Sequence, residues 1–493
     1  MSPVVEGFRQ RLLAHGARPA LNDGTRRWSY AELLDEVGER RALLERHGVR
    51  RLALALDNGP EWLFWDLAAL FAGLPCVPVP GFFSPSQQRH VLESAGVDAL
   101  IASEPQAFAV LGFVPCGALH RREPAVQAAL PAGTAKITYT SGTTGQPKGV
   151  CLSAEAMLGV AQSIAGATAG SGIERHLCVL PLAVLLENLA GNYAPLLLGA
   201  CLEIPSLASV GMRGASQFEL PAFLATLARV RPSSLILLPQ LLLALVTAAE
   251  GGQALPDSLH FIAVGGGRVV PQLLERAEAL GLPVFEGYGL SECASVVCLN
   301  TPGQRRIGSV GRPLPHAEVR LADDGEVLVR GATFLGYLGE PAQTDAWLGT
   351  GDLGHWEDGF LVLHGRKKHQ FVTAFGRNVN PEWVEAELVQ QLPIAQAWLH
   401  GEALPANVAV LVPRSAQVSD AQLQAALDAV NAGLPDYARA HRWLRADQPF
   451  GEANGLATSN GRLRRAALFQ HYRSAIASLM AESSVPVQEE QHP

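Results

Sequence analysis

Lysine is almost missing from this chain. Only Lys136, Lys148, Lys367 and Lys368 occur in 493 residues, against 34 arginines, so a site that needs a compact ammonium has few candidates. The formal net charge of −8 excludes a surface that binds nucleic acid as a whole, so an anionic ligand has to be held by local groups. Cysteine is sparse too. The seven, at 76, 116, 151, 178, 201, 293 and 298, form no CxxC pair and sit mostly in apolar segments. That excludes a zinc ribbon or disulfide framework and reads as reduced thiols in a cytoplasmic protein. Long apolar runs are absent as well. The most apolar stretch, LILLPQLLLALV at 235 to 246, is 12 residues broken by Pro239, short of the roughly 20 that span a bilayer. The N-terminal MSPVVEGFRQRLLAH has no basic segment leading into an apolar one, so no secretory signal is expected.

What is present is 48% hydrophobic and 17% charged, an ordinary globular balance. Segments such as RLALALDN, EWLFWDLAALFAG and LPCVPVPG alternate strand-like and helix-like patterns, which predicts an α/β fold of parallel sheets covered by helices. The aromatic stripe Trp62, Phe64, Trp65 and Phe71 reads as helix core. From 310 to 365 the texture shifts to short segments with hairpin signals at Asp324-Gly325 and Asp358-Gly359, a β-rich subdomain. Beyond 366 to 369, Asn380 and Pro381 read as a helix start, and SDAQLQAALDAVNAGL as a second helix. The expected division is therefore a large domain at 1–366, a smaller α+β domain at 369–480 and a disordered tail at 481–493.

ITYTSGTTGQPKGV at 137 to 150 carries the strongest chemical signal. Glycines let backbone N–H groups approach phosphate oxygens, hydroxyls add donors, and Lys148 adds a point charge. It is a polyphosphate cradle in chemical terms, but not the GxxxxGK[ST] pattern, because Gly149 follows Lys148.

This segment resembles the phosphate loop of the adenylate-forming superfamily: acyl-CoA synthetases, luciferases and the adenylation domains of peptide synthetases. Further segments match in order. AVGGGRVVP at 263 to 271 is similar to the loop along the adenine, EGYGLSE at 286 to 292 to the adenine and magnesium motif, and GTGDLG at 349 to 354 to the ribose motif. GEVLVRG with GYLG at 336 to 339 also fits, and GRKKHQFVTAFGRNVNPEWVE at 365 to 385 looks like the hinge and the start of a C-terminal domain that rotates between half-reactions.

The resemblance implies an AMP-forming acid–thiol ligase that uses ATP, magnesium and CoA on a small carboxylic acid, with a carrier protein in trans, an amine or an alcohol as other acceptors. It implies a nucleotide site built from Thr140, Ser141, Gly142, Thr143, Thr144, Gly145, Lys148, Gly265, Gly266, Gly267, Gly287, Tyr288, Gly289, Ser291, Asp352 and Arg366. Glu292 is implied as the magnesium ligand, Lys368 as the hinge, and Val184 with Gly289 as acid-pocket positions. Independently of the resemblance, Asp352 can accept two hydrogen bonds from neighbouring hydroxyls, and Glu292 is a hard oxygen ligand.

Two departures matter. The family's C-terminal glycine-lysine pair is here Gly461-Arg462, in SNGRLRR, with no lysine after Lys368. Arg462 keeps the charge but is planar, larger and never deprotonated. It either bridges the reacting anions, slows adenylation, or leaves a protein that binds nucleotide without turnover, while Arg464 and Arg465 read as solvated or as lying near acceptor phosphates. The second departure is PLAVLLENLAG at 181 to 191, where Val184 replaces a histidine or aromatic. That apolar run suits a fatty or aryl acid, and Glu187 either turns inward or packs.

Overall fold

The structure, a computed structural model, describes residues 1–124, 129–140, 147–213, 217–458 and 461–481. Its chain divides into two compact units, Met1–Thr350 with Gly354–Leu363, and Gly351–Leu353 with His364–Pro493.

The first unit is built on two sheets of nine and eight strands. The predicted strand–helix–strand reads out as Leu52–Ala55, Pro60–Ala72 and Cys76–Pro78, with the two strands parallel and Leu52 opposite Cys76. All four residues of the aromatic stripe are buried on that helix. In the nine-stranded sheet, Ser234–Leu237, Phe261–Val264 and Val284–Leu290 run parallel side by side. Open parallel sheets bind ligands beyond the carboxyl ends of their strands, and the glycine loop at 265–267 and the 288–292 segment lie at those ends. The run at 235–246 is an inner strand followed by the helix Pro239–Glu250, and no described helix is long and apolar enough to cross a membrane. A small sheet carries the hairpin of Ala317–Leu321 and Glu326–Gly331, with Gly325 at φ +83° where its turn requires it.

The apolar strand Thr134–Thr140 buries Lys136 completely. Its ammonium donates to Asp66 Oδ1 at 2.8 Å and to Asn188, between the rings of Trp62 and Tyr193. Asp66 Oδ2 accepts from Tyr193 at 2.6 Å and from Asn188 at 3.1 Å. This group joins the helix Pro60–Ala72 and the π-helical Leu186–Tyr193 to the strand that leads into the phosphate loop. A chain so poor in lysine keeps one here, where a compact ammonium meets a carboxylate, an amide and two ring faces.

The second unit holds a three-stranded sheet of Ile394–His400, Asn407–Pro413 and Ala440–Arg445. Asn380 caps the helix Pro381–Val389 by accepting from Glu382 N–H, and Ser419 with Gln422 forms a capping box on Asp420–Gly433. Arg465 is not solvated as expected. Its guanidinium is held by both oxygens of Glu385 at 2.8 and 2.5 Å, an anchor from the last helix to the one at 381–389.

Replacing Lys136 by Met strands the buried Asp66 charge, and we expect a loss of about 3–5 kcal/mol in chemical denaturation. Adding Asp66→Asn should recover part of that loss.

Candidate active site

The phosphate loop joins two antiparallel strands, Thr134–Thr140 and Lys148–Ser153, with Thr140 opposite Lys148. Both flanking residues are therefore placed by the sheet. Ser141, Gly142, Thr143, Thr144 and Gly145 lie outside the described residues. Gly149 is tightly enclosed: a Cβ there would stand 3.0 Å from Ile137 and 3.1 Å from Leu338. Lys148 Nζ lies 3.0 Å from Glu340 Oε1 and 5.0 Å from the centre of the Tyr337 ring. The Lys148–Glu340 pair is half exposed, so water and salt screen it and it contributes about 1 kcal/mol or less. The lysine can leave it for a phosphate at little cost.

The two glycine-bearing loops at the strand ends approach each other closely. A Cβ on Gly265 would come within 3.2 Å of Gly287 O, and Gly266 sits at φ +76° against Leu238. Gly289 is stricter still, because a Cβ there would fall 1.5 Å from Ser295 O. Tyr288 is buried and pairs across the sheet with Cys298, and half-buried Ser291 opens the single turn Ser291–Cys293 that carries Glu292. Glu292 Oε1 accepts from the Tyr337 hydroxyl at 2.8 Å. A half-buried hard oxygen donor of this kind fits magnesium. The sequence showed GYLG as a match but gave no sign that its tyrosine meets Glu292.

Burial pushes the Glu286 carboxyl up to about 8, against the opposing charge of Arg268 and a hydrogen bond from Val269 N–H. This neutral acid stands directly beside the loops at 265–267 and 287–289. It was not singled out in the sequence, because only burial distinguishes it from a loop carboxylate.

Val184 is half-buried, as a pocket wall or a packed residue can be. Glu187, however, is committed to the fold: Oε1 pairs with His176 Nε2 at 3.1 Å and Oε2 accepts from Leu180 N–H at 3.1 Å. Ser234 Oγ holds the other nitrogen of His176 at 2.9 Å. Donor atoms of His176, Cys178 and Glu187 lie within 4.8 Å of one another. Their hydrogen bonds already account for the imidazole and the carboxylate, and burial pushes the Cys178 thiol well up. The group is a buried polar network.

In the second unit, Arg366 Nε lies 2.8 Å from Oδ1 of the buried Asp352, so the two expected ribose residues are neighbours. Arg366 N–H donates to Glu382 Oε2 at 3.0 Å. Burial raises Glu382, but hydrogen bonds and charge from His369 outweigh it and bring the carboxyl to about 2. Burial, then the charges of Arg366 and Arg462, push the Lys368 ammonium below its ordinary value. Lys368 and Arg462 thus share one cationic region. Arg462 is exposed on the turn closed by the Ala457–Leu463 bridge, with Gly461 at φ +78° and Arg462 N–H bonded to Thr458 Oγ1 at 3.0 Å.

A fold of this kind, with nucleotide-type loops at parallel strand ends and a small α+β unit after them, is that of the adenylate-forming enzymes. Solved structures agree. An anthranilate CoA ligase AuaEII with anthranoyl-AMP superposes with a TM-score of 0.80 over 96% of this chain and 98% of that one, at 21% identity. The o-succinylbenzoate CoA synthetase of Bacillus subtilis, in complex with ATP and magnesium ion, gives 0.75 over 93% and 98%, at 24% identity. The AMP-binding enzyme family matches residues 8–338. The long-chain-fatty-acid–CoA ligase FadD15 of Mycobacterium bovis is 30% identical over 437 residues, 70% of each chain. This chain belongs to the AMP-binding enzyme family, within its acid–CoA ligases.

Because Glu286 is neutral when folded and ionises near 4.5 when unfolded, stability should fall as pH rises from 4.5 to about 8. Glu286→Gln should remove that decline, melting above the wild type at pH 8 and level with it at pH 4.5. Gly289→Ala should abolish nucleotide binding or folding outright, checked by melting and ATP titration.

Proposed function

We propose that this chain condenses a hydrophobic carboxylic acid, fatty or aryl, with ATP to give acyl-AMP and pyrophosphate, then transfers the acyl group to CoA. The observation that supports this is the group around Tyr337, whose hydroxyl donates to Glu292 Oε1 and whose ring lies 5.0 Å from the Lys148 ammonium. A cation and a metal ligand in one place suit a polyphosphate that must lose two of its phosphates.

In the first half-reaction a carboxylate oxygen of the acid forms a bond to the α-phosphorus, and the bond from that phosphorus to the bridging oxygen breaks as pyrophosphate leaves. The loop at 140 to 148 supplies donors to the phosphates, and Lys148 takes the charge that develops on the leaving group. Glu292 would hold magnesium, which would neutralise phosphate charge. Within the first unit the glycines at 265–267 and 287–289 leave room for adenine beside Tyr288, and within the second Asp352 and Arg366 offer an acceptor and a donor suited to sugar hydroxyls. In the second half-reaction the CoA sulfur, having lost its proton, attacks the acyl carbonyl carbon, and AMP leaves with its electron pair. The apolar run around Val184 supports a hydrophobic acid over a zwitterionic one.

A second reading rests on Arg462: a chain that binds nucleotide or acyl-adenylate but adenylates slowly or not at all. One assay separates the two. Purified protein with ATP, magnesium and a panel of acids should release pyrophosphate with a fatty or aryl acid, and form thioester only when CoA is added. Pyrophosphate release by no acid, with thioester still formed from supplied acyl-adenylate, would favour the second reading. Arg462→Ala should lower adenylation about 100-fold if the guanidinium bridges the reacting anions, and Arg462→Lys should retain most of it. Equal rates in wild type and Arg462→Ala would remove the residue from the mechanism.

A further inference from the structure

Tyr337 stands where three backbone hydrogen bonds put it. Leu335 N–H donates to Cys151 O and Leu338 N–H to Gly149 O, both at 2.8 Å, which lays this segment antiparallel along the strand that leaves the phosphate loop, with Tyr337 opposite Val150. Phe334 N–H donates to Glu292 O at 2.7 Å, which ties the same segment to the turn bearing the metal ligand. The Phe334 ring packs edge-on against Tyr337, centroids 4.9 Å apart at 71°. The tyrosine therefore cannot swing freely. Its two ends reach different parts of the chemistry: the hydroxyl donates to Glu292 Oε1 at 2.8 Å, and the ring lies under the Lys148 ammonium at 5.0 Å.

A glutamate on a single turn has three side-chain torsions, and without a partner its carboxylate samples many orientations. One fixed hydrogen bond to Oε1 sets the plane of the carboxylate and so the direction in which Oε2 presents its lone pairs. Groups that orient metal ligands in this way strengthen metal binding without touching the metal. A cation over the ring face is attracted by the ring quadrupole, which keeps Lys148 close to the phosphate loop rather than dispersed in solvent.

The geometry points to Tyr337 as a positioning residue that aligns the Glu292 carboxylate for the divalent cation and holds the Lys148 ammonium over its ring. This deepens the proposed function and rests on its assignment of Glu292 as the metal ligand. The hydroxyl and the ring have separate tasks. Tyr337→Phe removes the first and keeps the second, along with the packing against Phe334.

The test uses α,β-methylene-ATP, which cannot be split at the bond the reaction breaks. Its dissociation constant is measured with and without Mn2+ on the full-length wild type, Tyr337→Phe, Glu292→Gln and the double variant. In Tyr337→Phe the factor by which Mn2+ tightens binding should shrink about tenfold, while metal-free binding stays within about twofold of wild type. In the Glu292→Gln background the same substitution should add no further loss, because the partner it aligns is gone. Equal weakening with and without metal would mark a packing role and overturn the inference. If Tyr337→Phe keeps the full effect of Mn2+ while Glu292→Gln loses it, Tyr337 does not align the ligand although Glu292 is one. If Glu292→Gln also keeps it, the metal assignment itself is wrong and the inference falls with it.

Discussion

Residues 334 to 338 bond to two places that are far apart in the chain, and the placement of the candidate site residues in the first unit depends on this. Their N–H groups pair with carbonyls of Gly149 and Cys151 on one side and of Glu292 on the other. Each bond contributes only about 1 kcal/mol net. Together they fix the distance between the strand Lys148–Ser153 and the turn that carries Glu292. Side chains then complete the link, with Tyr337 between Lys148 and Glu292.

Around that link, backbone must approach backbone without side chains in the way. Gly149, Gly265, Gly287 and Gly289 each meet neighbours that a methyl would press, most severely at Gly289. These absences of Cβ let the backbone segments come together. Charge is handled differently at different depths. Lys136 is paired with Asp66 in the core, burial pushes the Glu286 carboxyl up, and Lys148 stands in a weak, half-exposed pair. Three of the most consequential ionisable groups of the first unit thus differ less in chemistry than in how much water reaches them.

Much of the fold was legible. The alternation of apolar strands with the aromatic helix at 60–72, the hairpin at Asp324-Gly325 and the cap at Asn380 all rest on local rules of period, turn and capping, and the structure has them. The glycine loops were legible because glycine at a strand end has a steric reason. Arg465 and Glu187 were not. A surface arginine and an anchored one look alike in sequence, and the Arg465 partner, Glu385, lies 80 residues away. Glu187 pairs with a histidine that sits in a plain strand pattern, so nothing local marked His176.

The sequence by itself determined the family, the order of the loops and the one departure at Arg462, because glycines, hydroxyls and charges at fixed spacing are local chemistry. It also determined that Lys148 is the one lysine in the phosphate-loop motif. Only the tertiary structure decided which groups meet: Tyr337 with Glu292, 45 residues apart, Lys148 with Glu340, 192 apart, and Arg366 with Asp352. The reason is geometric. A hydrogen bond needs its atoms within about 3 Å, and for residues so distant in the chain that distance is set by how sheets and helices pack, which no local pattern records.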